Sequence, residues 1–261
     1  MTSTIDPGAA PPTLSSHAID DASIMIFTMM PPGANYLPLA ALIAALIHGV
    51  LTRPGVKPPY LLATRIMPPA LLAAAAIWVW IQIAWRIPVL NFEGFAPLGE
   101  PLLMAVGFLV YGAGDTLLFR GEARSGAALG VIGLALLAVS GWRVHLFELQ
   151  PLTDILLILA VSLAVAGFMV WSWRRLGGKV FGWLFLGALI ALSLVIGGMT
   201  SHSFIRLPGA MLACGLTSLA ARVLVVTGRA GSTGMTGWGP WFATLLFQVM
   251  IAITALGAPT F

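Results

Sequence analysis

Charge is scarce in this sequence. Of 261 residues, 8% are Asp, Glu, Lys or Arg, while 59% are hydrophobic. A soluble domain carries about 25% charged residues. So large a deficit leaves too few charges to solvate a globular surface, and it makes lipid the expected surroundings. Cysteine is nearly absent as well. The single thiol, Cys214, lies in an apolar run, which excludes an intramolecular disulfide and any cysteine-based zinc or iron–sulfur centre. Residues 1–36 contain no Lys or Arg, so the basic region that opens a secretory signal is missing. Pro7, Pro11, Pro12, Pro31 and Pro32, with Gly8 and Gly33, oppose a helix there. Residues 1–35 therefore read as an extended polar tail ahead of a single domain, 36–261. The net charge of +4 comes from 13 basic residues spread thinly between apolar runs. That pattern excludes a nucleic-acid footprint and reads instead as a topology signal.

What the sequence has in abundance is long apolar runs. A bilayer core takes about 20 apolar residues per helix, and backbone polar groups in lipid must be satisfied within the segment. The runs predict an all-α polytopic membrane protein of about eight transmembrane helices, near 36–52, 61–86, 100–119, 127–145, 153–173, 180–199, 205–226 and 240–257. Between them lie Pro, Gly and charge: Arg53-Pro54-Gly55, Asn91 to Pro97, Arg120-Gly121-Glu122, Gln150-Pro151, Arg174 to Gly178, and the Gly-rich stretch 228–239.

Loop charge sets the expected orientation. The loops after spans 1, 3, 5 and 7, with adjoining helix starts, hold Arg53, Lys57, Arg65, Arg120, Arg124, Arg174, Arg175, Lys179 and Arg229. Arg222 can snorkel to the same side. The opposite side holds Arg86, Arg143 and Arg206, and seven of the nine acidic residues. Those four loops are thus expected to be cytoplasmic, with both termini outside. No organelle signal is present, so a bacterial inner membrane is the expected location. Trp78, Trp80 and Trp85 fall near one outer end, and Trp171, Trp173 and Trp183 near inner ends.

Ionisable residues inside spans cost at least ~2.5–3.5 kcal/mol on insertion scales, which makes Asp115 the residue to explain. It lies one turn inside span 3, with Gly112 and Gly114 opening the helix surface for close approach by a neighbour. Two readings are open: a packing residue that snorkels or pairs with Arg120 or Arg65, and a site carboxylate. Arg65, His48, Thr217, Arg222 and Gln248 share its depth and could build a polar cavity with it. His145 and His202 sit at outer ends, and no spacing marks them as haem ligands. Gly126-x-x-x-Gly130 reads as a close-packing motif. No metal or cofactor is expected. The expected partners are membrane lipid, and a second copy or a membrane complex.

Several short motifs occur in an order that resembles the YhhN family, which includes the lysoplasmalogenases. They are Thr64-Arg65-Ile-Met-Pro68 (with Lys57-Pro58 as a rival match), Gly114-Asp115-Thr-Leu-Leu118 with Gly130 following, Val170-Trp-Ser-Trp-Arg-Arg-Leu176, Gly209-Ala-Met-Leu212, and Phe242-Ala-Thr-Leu-Leu-Phe-Gln248. The resemblance covers residues 60–257 and implies an eight-span fold. It also implies hydrolysis of the vinyl-ether bond of lysoplasmalogens: protonation at carbon and addition of water release an aldehyde and a glycerophospho-base. On that reading Asp115 is the acid, Thr217 or Gln248 guides water, and Arg65 or Arg222 holds the phosphate. The family's second aspartate corresponds here to Thr217, and a histidine that follows its Gly-Asp corresponds to Leu136. Only one of the paired acid–base groups is therefore present.

Overall fold

A computed structural model describes residues 36–52, 58–90, 100–142, 152–173, 178–200, 208–228 and 235–256. They form eight helices: α1 Tyr36–Leu51, α2 Pro58–Leu90, α3 Glu100–Phe119, α4 Ala123–Trp142, α5 Leu152–Trp173, α6 Gly178–Thr200, α7 Pro208–Val226 and α8 Met235–Leu256. Among the described residues there is no strand. The chain is an all-α membrane protein. The stretches Leu62–Gln82, Pro101–Phe119, Ala123–Ser140 and Gly237–Leu256 are long and apolar enough to cross a bilayer, and α1, α5, α6 and α7 carry shorter apolar runs.

Each expected span coincides with a helix, and the differences lie at the ends. Helix α2 starts three residues early because Pro58 and Pro59 occupy its first turn, where a missing N–H breaks no bond. Helix α4 starts at Ala123 rather than 127. Gly121 takes φ 92°, a conformation that suits glycine, and its N–H donates to the Leu118 carbonyl at 3.1 Å. The Glu122 carbonyl then accepts from Gly126 at 2.9 Å and opens α4. Helix α8 begins at Met235, so residues 235–239 of the stretch expected to be a glycine-rich loop are helical, and Pro240 lies inside the helix. Trp238 favours this extension: its indole N–H donates to the Ala45 carbonyl at 3.0 Å, and its ring stacks on Phe242. The tail 1–35, most of the loop motifs, His145 and His202 lie outside the described residues.

Helices α1, α2, α3, α4, α6, α7 and α8 each pack on the next in that order, and α8 closes back on α1. Helix α5 stands outside this ring against α6. Helices α3 and α8 reach inward, α3 touching α2, α4, α7 and α8. Small residues allow the closeness. A Cβ on Gly112 would fall 2.5 Å from Pro69, and one on Gly114 would meet the Gly130 backbone at the same distance. Around these contacts Phe108, Tyr111, Phe119, Leu137 and Phe247 are fully buried. Leu39, Ile43, Leu46 and Val50 of α1, and Leu156, Leu159, Leu163 and Val170 of α5, face outward, as an apolar surrounding solvent allows.

Candidate functional site

Three helices each bring a pair of polar residues spaced four apart, and that spacing places both members on one face. They are Tyr111 and Asp115 on α3, Ser218 and Arg222 on α7, and Thr244 and Gln248 on α8. All six are buried. The Tyr111 and Ser218 hydroxyls lie 3.3 Å apart, and Arg222 Nη2 donates to Asp115 Oδ1. Both pairs are separated by 107 residues, so α3 and α7 run in the same direction in a matched register. Helix α8 completes the carboxylate's surroundings. Gln248 Nε2 donates to Asp115 Oδ2 at 3.3 Å, and Thr244 stands beside it, its hydroxyl donating to the Trp241 carbonyl at 2.7 Å.

The Asp115–Arg222 ion pair is the centre of this cluster, with Asp115 1% exposed. Neither side chain snorkels, contrary to the expectation that Arg222 would reach an end of its helix. The partner is also different from those expected: neither Arg120, which is exposed, nor Arg65 bonds the carboxylate. Gly130 explains how a guanidinium fits between helices. A Cβ there would overlap the Arg222 head group. The Arg222 Cζ also lies 4.3 Å from the centre of the Tyr111 ring, so the aromatic face holds the side of the cation that the carboxylate leaves bare.

A second polar group adjoins the first near the end of the bundle where α8 begins. His48 is fully buried, its Nδ1 2.7 Å from Thr64 Oγ1. Its ring meets Trp241 edge-on at 4.7 Å. The Arg65 Cζ lies 5.4 Å from the Phe119 ring centre and 5.9 Å from that of Trp241. Four buried polar atoms have no hydrogen-bond partner among the described residues: His48 Nε2, Arg65 Nε, Arg222 Nε and Gln248 Oε1.

Of the residues singled out from sequence, Asp115, Arg222 and Gln248 therefore converge, and Arg65 stands nearby. Thr217 does not join them. It is exposed, and its hydroxyl donates to carbonyls of its own helix, Ala213 at 2.8 Å and Cys214 at 3.1 Å. Gly112 and Gly114 face Pro69 and Gly130, so both serve helix contact. Among the described residues no three His, Cys, Asp or Glu side chains approach one another as a metal site would need. Tyr111, Ser218 and Thr244 were missed. Each precedes a residue already singled out by one helical turn, and that periodicity was the signal available.

Next to the cluster is a cavity of about 20 Å³, whose lining includes Tyr111, Ser218, Arg222, Ala127, Val131 and Trp183. One water molecule needs at least about 10–15 Å³, so the space suits a single water and no lipid. No family model, curated protein or solved structure matches this chain. The resemblance to the YhhN family rests on the sequence motifs.

Proposed function

We propose that the chain is a YhhN-like integral membrane protein in which Asp115 organises the helix bundle rather than catalysing a reaction. Its working surface is then the apolar exterior, which meets lipid and other membrane proteins. The observation that supports this reading is the closure of Asp115: one carboxylate oxygen faces Arg222, the other faces Gln248, and the residue is 1% exposed. A carboxylate in both contacts acts as an acceptor. A general acid for a vinyl ether must instead offer a proton to a carbon atom of a bound lipid, within reach of that carbon. The basic loops support the accompanying orientation, with both termini outside.

The second reading keeps lysoplasmalogenase-like hydrolysis. It is favoured by the water-sized cavity beside Arg222, bordered by the Tyr111 and Ser218 hydroxyls, because hydrolysis needs one water near the carboxylate. On this reading the helices part to admit the alkenyl chain, and Asp115 exchanges Arg222 for the substrate. The deciding experiment measures fatty aldehyde released from an alkenyl lysophospholipid by purified protein, beside Asp115→Asn. The bundle-organising reading expects no release from either protein. Release by the wild type that disappears in a folded Asp115→Asn protein would establish the hydrolase instead.

A further inference from the structure

Arg222 makes one ion pair and one ring contact, and neither uses its Nε. Its Nη2 donates to Asp115, and its Cζ lies over the Tyr111 ring. The Nε is buried without a hydrogen-bond partner among the described residues. Arg222 as a whole is 5% exposed, so bulk water does not supply that partner. An unpaired donor on a buried charged group is costly. The Tyr111 and Ser218 hydroxyls also have bonding capacity to spare. Their separation of 3.3 Å exceeds the usual O–H···O range of about 2.5–3.0 Å. Together the two hydroxyls hold two protons and four lone pairs, and their mutual contact uses one of each. Arg222, Tyr111 and Ser218 line one cavity of about 20 Å³. Asp115 is not part of that lining.

We infer that this cavity is a binding site for one resident water molecule, which accepts from Arg222 Nε and bonds the Tyr111 and Ser218 hydroxyls. A buried water makes about two to four hydrogen bonds to protein groups, and the lining supplies three such groups. Charge balance selects water over an anion of similar size. Arg222 and Asp115 already form a pair with no net charge, so an added halide would be a buried charge without compensation. The water serves structure: it faces a guanidinium, which has no acceptor atom and keeps its protons, so nothing in Arg222 can draw a proton from it. Helices α3 and α7 are thereby joined three times, by the ion pair, by the hydroxyl contact and by the shared water. The inference rests on the cavity and its lining, and on neither reading of Asp115.

The test is solid-state NMR of the isotope-labelled full-length chain in lipid bilayers. The Arg222 Nε–H is assigned by through-bond correlation from its own backbone, and transfer of magnetisation to it from water protons is measured. The expected result is a water signal at Arg222 Nε–H at mixing times that leave the backbone amides of Ala221 and Val223, both buried, without one. In Ser218→Val the added methyl group fills the space, and the signal is lost. In Ser218→Ala the space and two of the three polar groups remain, and the signal persists. No water signal at Arg222 Nε–H in the folded wild type would overturn the site, whatever the folding of the variants. So would an undiminished signal in folded Ser218→Val. Loss of the signal in folded Ser218→Ala would trace it to the hydroxyl proton, and would overturn the site as well. The sample contains no alkenyl lipid, so this outcome is separate from that of the aldehyde assay.

Discussion

Removing one member of the Asp115–Arg222 pair should be far more damaging than removing both. Arg222→Met leaves Asp115, 1% exposed in the wild type, with the Gln248 amide still donating to it. Breaking a buried pair from one side costs about 3–5 kcal/mol, because the surviving charge has no compensation. At about 2–4 °C per kcal/mol for a chain of this size, the unfolding midpoint falls by about 6–20 °C. Asp115→Leu strands the guanidinium and is expected to cost a similar amount. The double variant Asp115→Leu/Arg222→Met carries no buried charge at this position, and apolar replacement of a buried pair is often close to neutral. Gln248 loses its acceptor in that protein, at about 1–3 kcal/mol. The double variant should therefore be more stable than either single one. The assay is thermal unfolding of all four proteins in one detergent, followed by tryptophan fluorescence. Additive losses, with the double variant the least stable, would refute the claim that the two residues act as a pair.

Other substitutions test the surrounding contacts. Gly130→Ala places a methyl group where the Arg222 guanidinium lies; the loss should be about 1–3 kcal/mol from overpacking, and it should shrink in the Arg222→Met background. Tyr111→Phe removes a 3.3 Å hydroxyl contact to Ser218 but keeps the ring under Arg222, so unfolding measurements should show a loss of about 0.5–1.5 kcal/mol. Thr217→Ala changes an exposed hydroxyl bonded to its own helix, and stability should stay within about 0.5 kcal/mol. A large loss there would mean that Thr217 meets a partner.

The helices were legible because lipid imposes a simple rule: an apolar run long enough to cross must satisfy its own backbone. Their ends were less legible, since Pro58, Gly121 and Trp238 act through local capping and through contacts such as Trp238 to Ala45. Asp115 stood out by its cost in an apolar run. Its partner did not, because Arg120 and Arg65 are equally basic and the choice of Arg222 depends on α3 and α7 lying side by side. That neighbourhood is set by Gly114, Gly130 and the order of packing around the ring. Depth along a helix was readable for Thr217; the face on which it lies was not, and the helical period places it one position away from Ser218, on the outside.

An aldehyde assay depends on choosing the right substrate, whereas the closure of Asp115 can be examined without one. The direct measurement is modification of Asp115 by an apolar carbodiimide that dissolves in the bilayer, with the full-length protein in membranes and the product read by peptide mass spectrometry. The account predicts that Asp115 stays unmodified in the wild type and becomes labelled when Arg222→Met removes its partner. Labelling of Asp115 in the folded wild-type protein would contradict it, and would show a carboxyl group open to lipid-borne molecules.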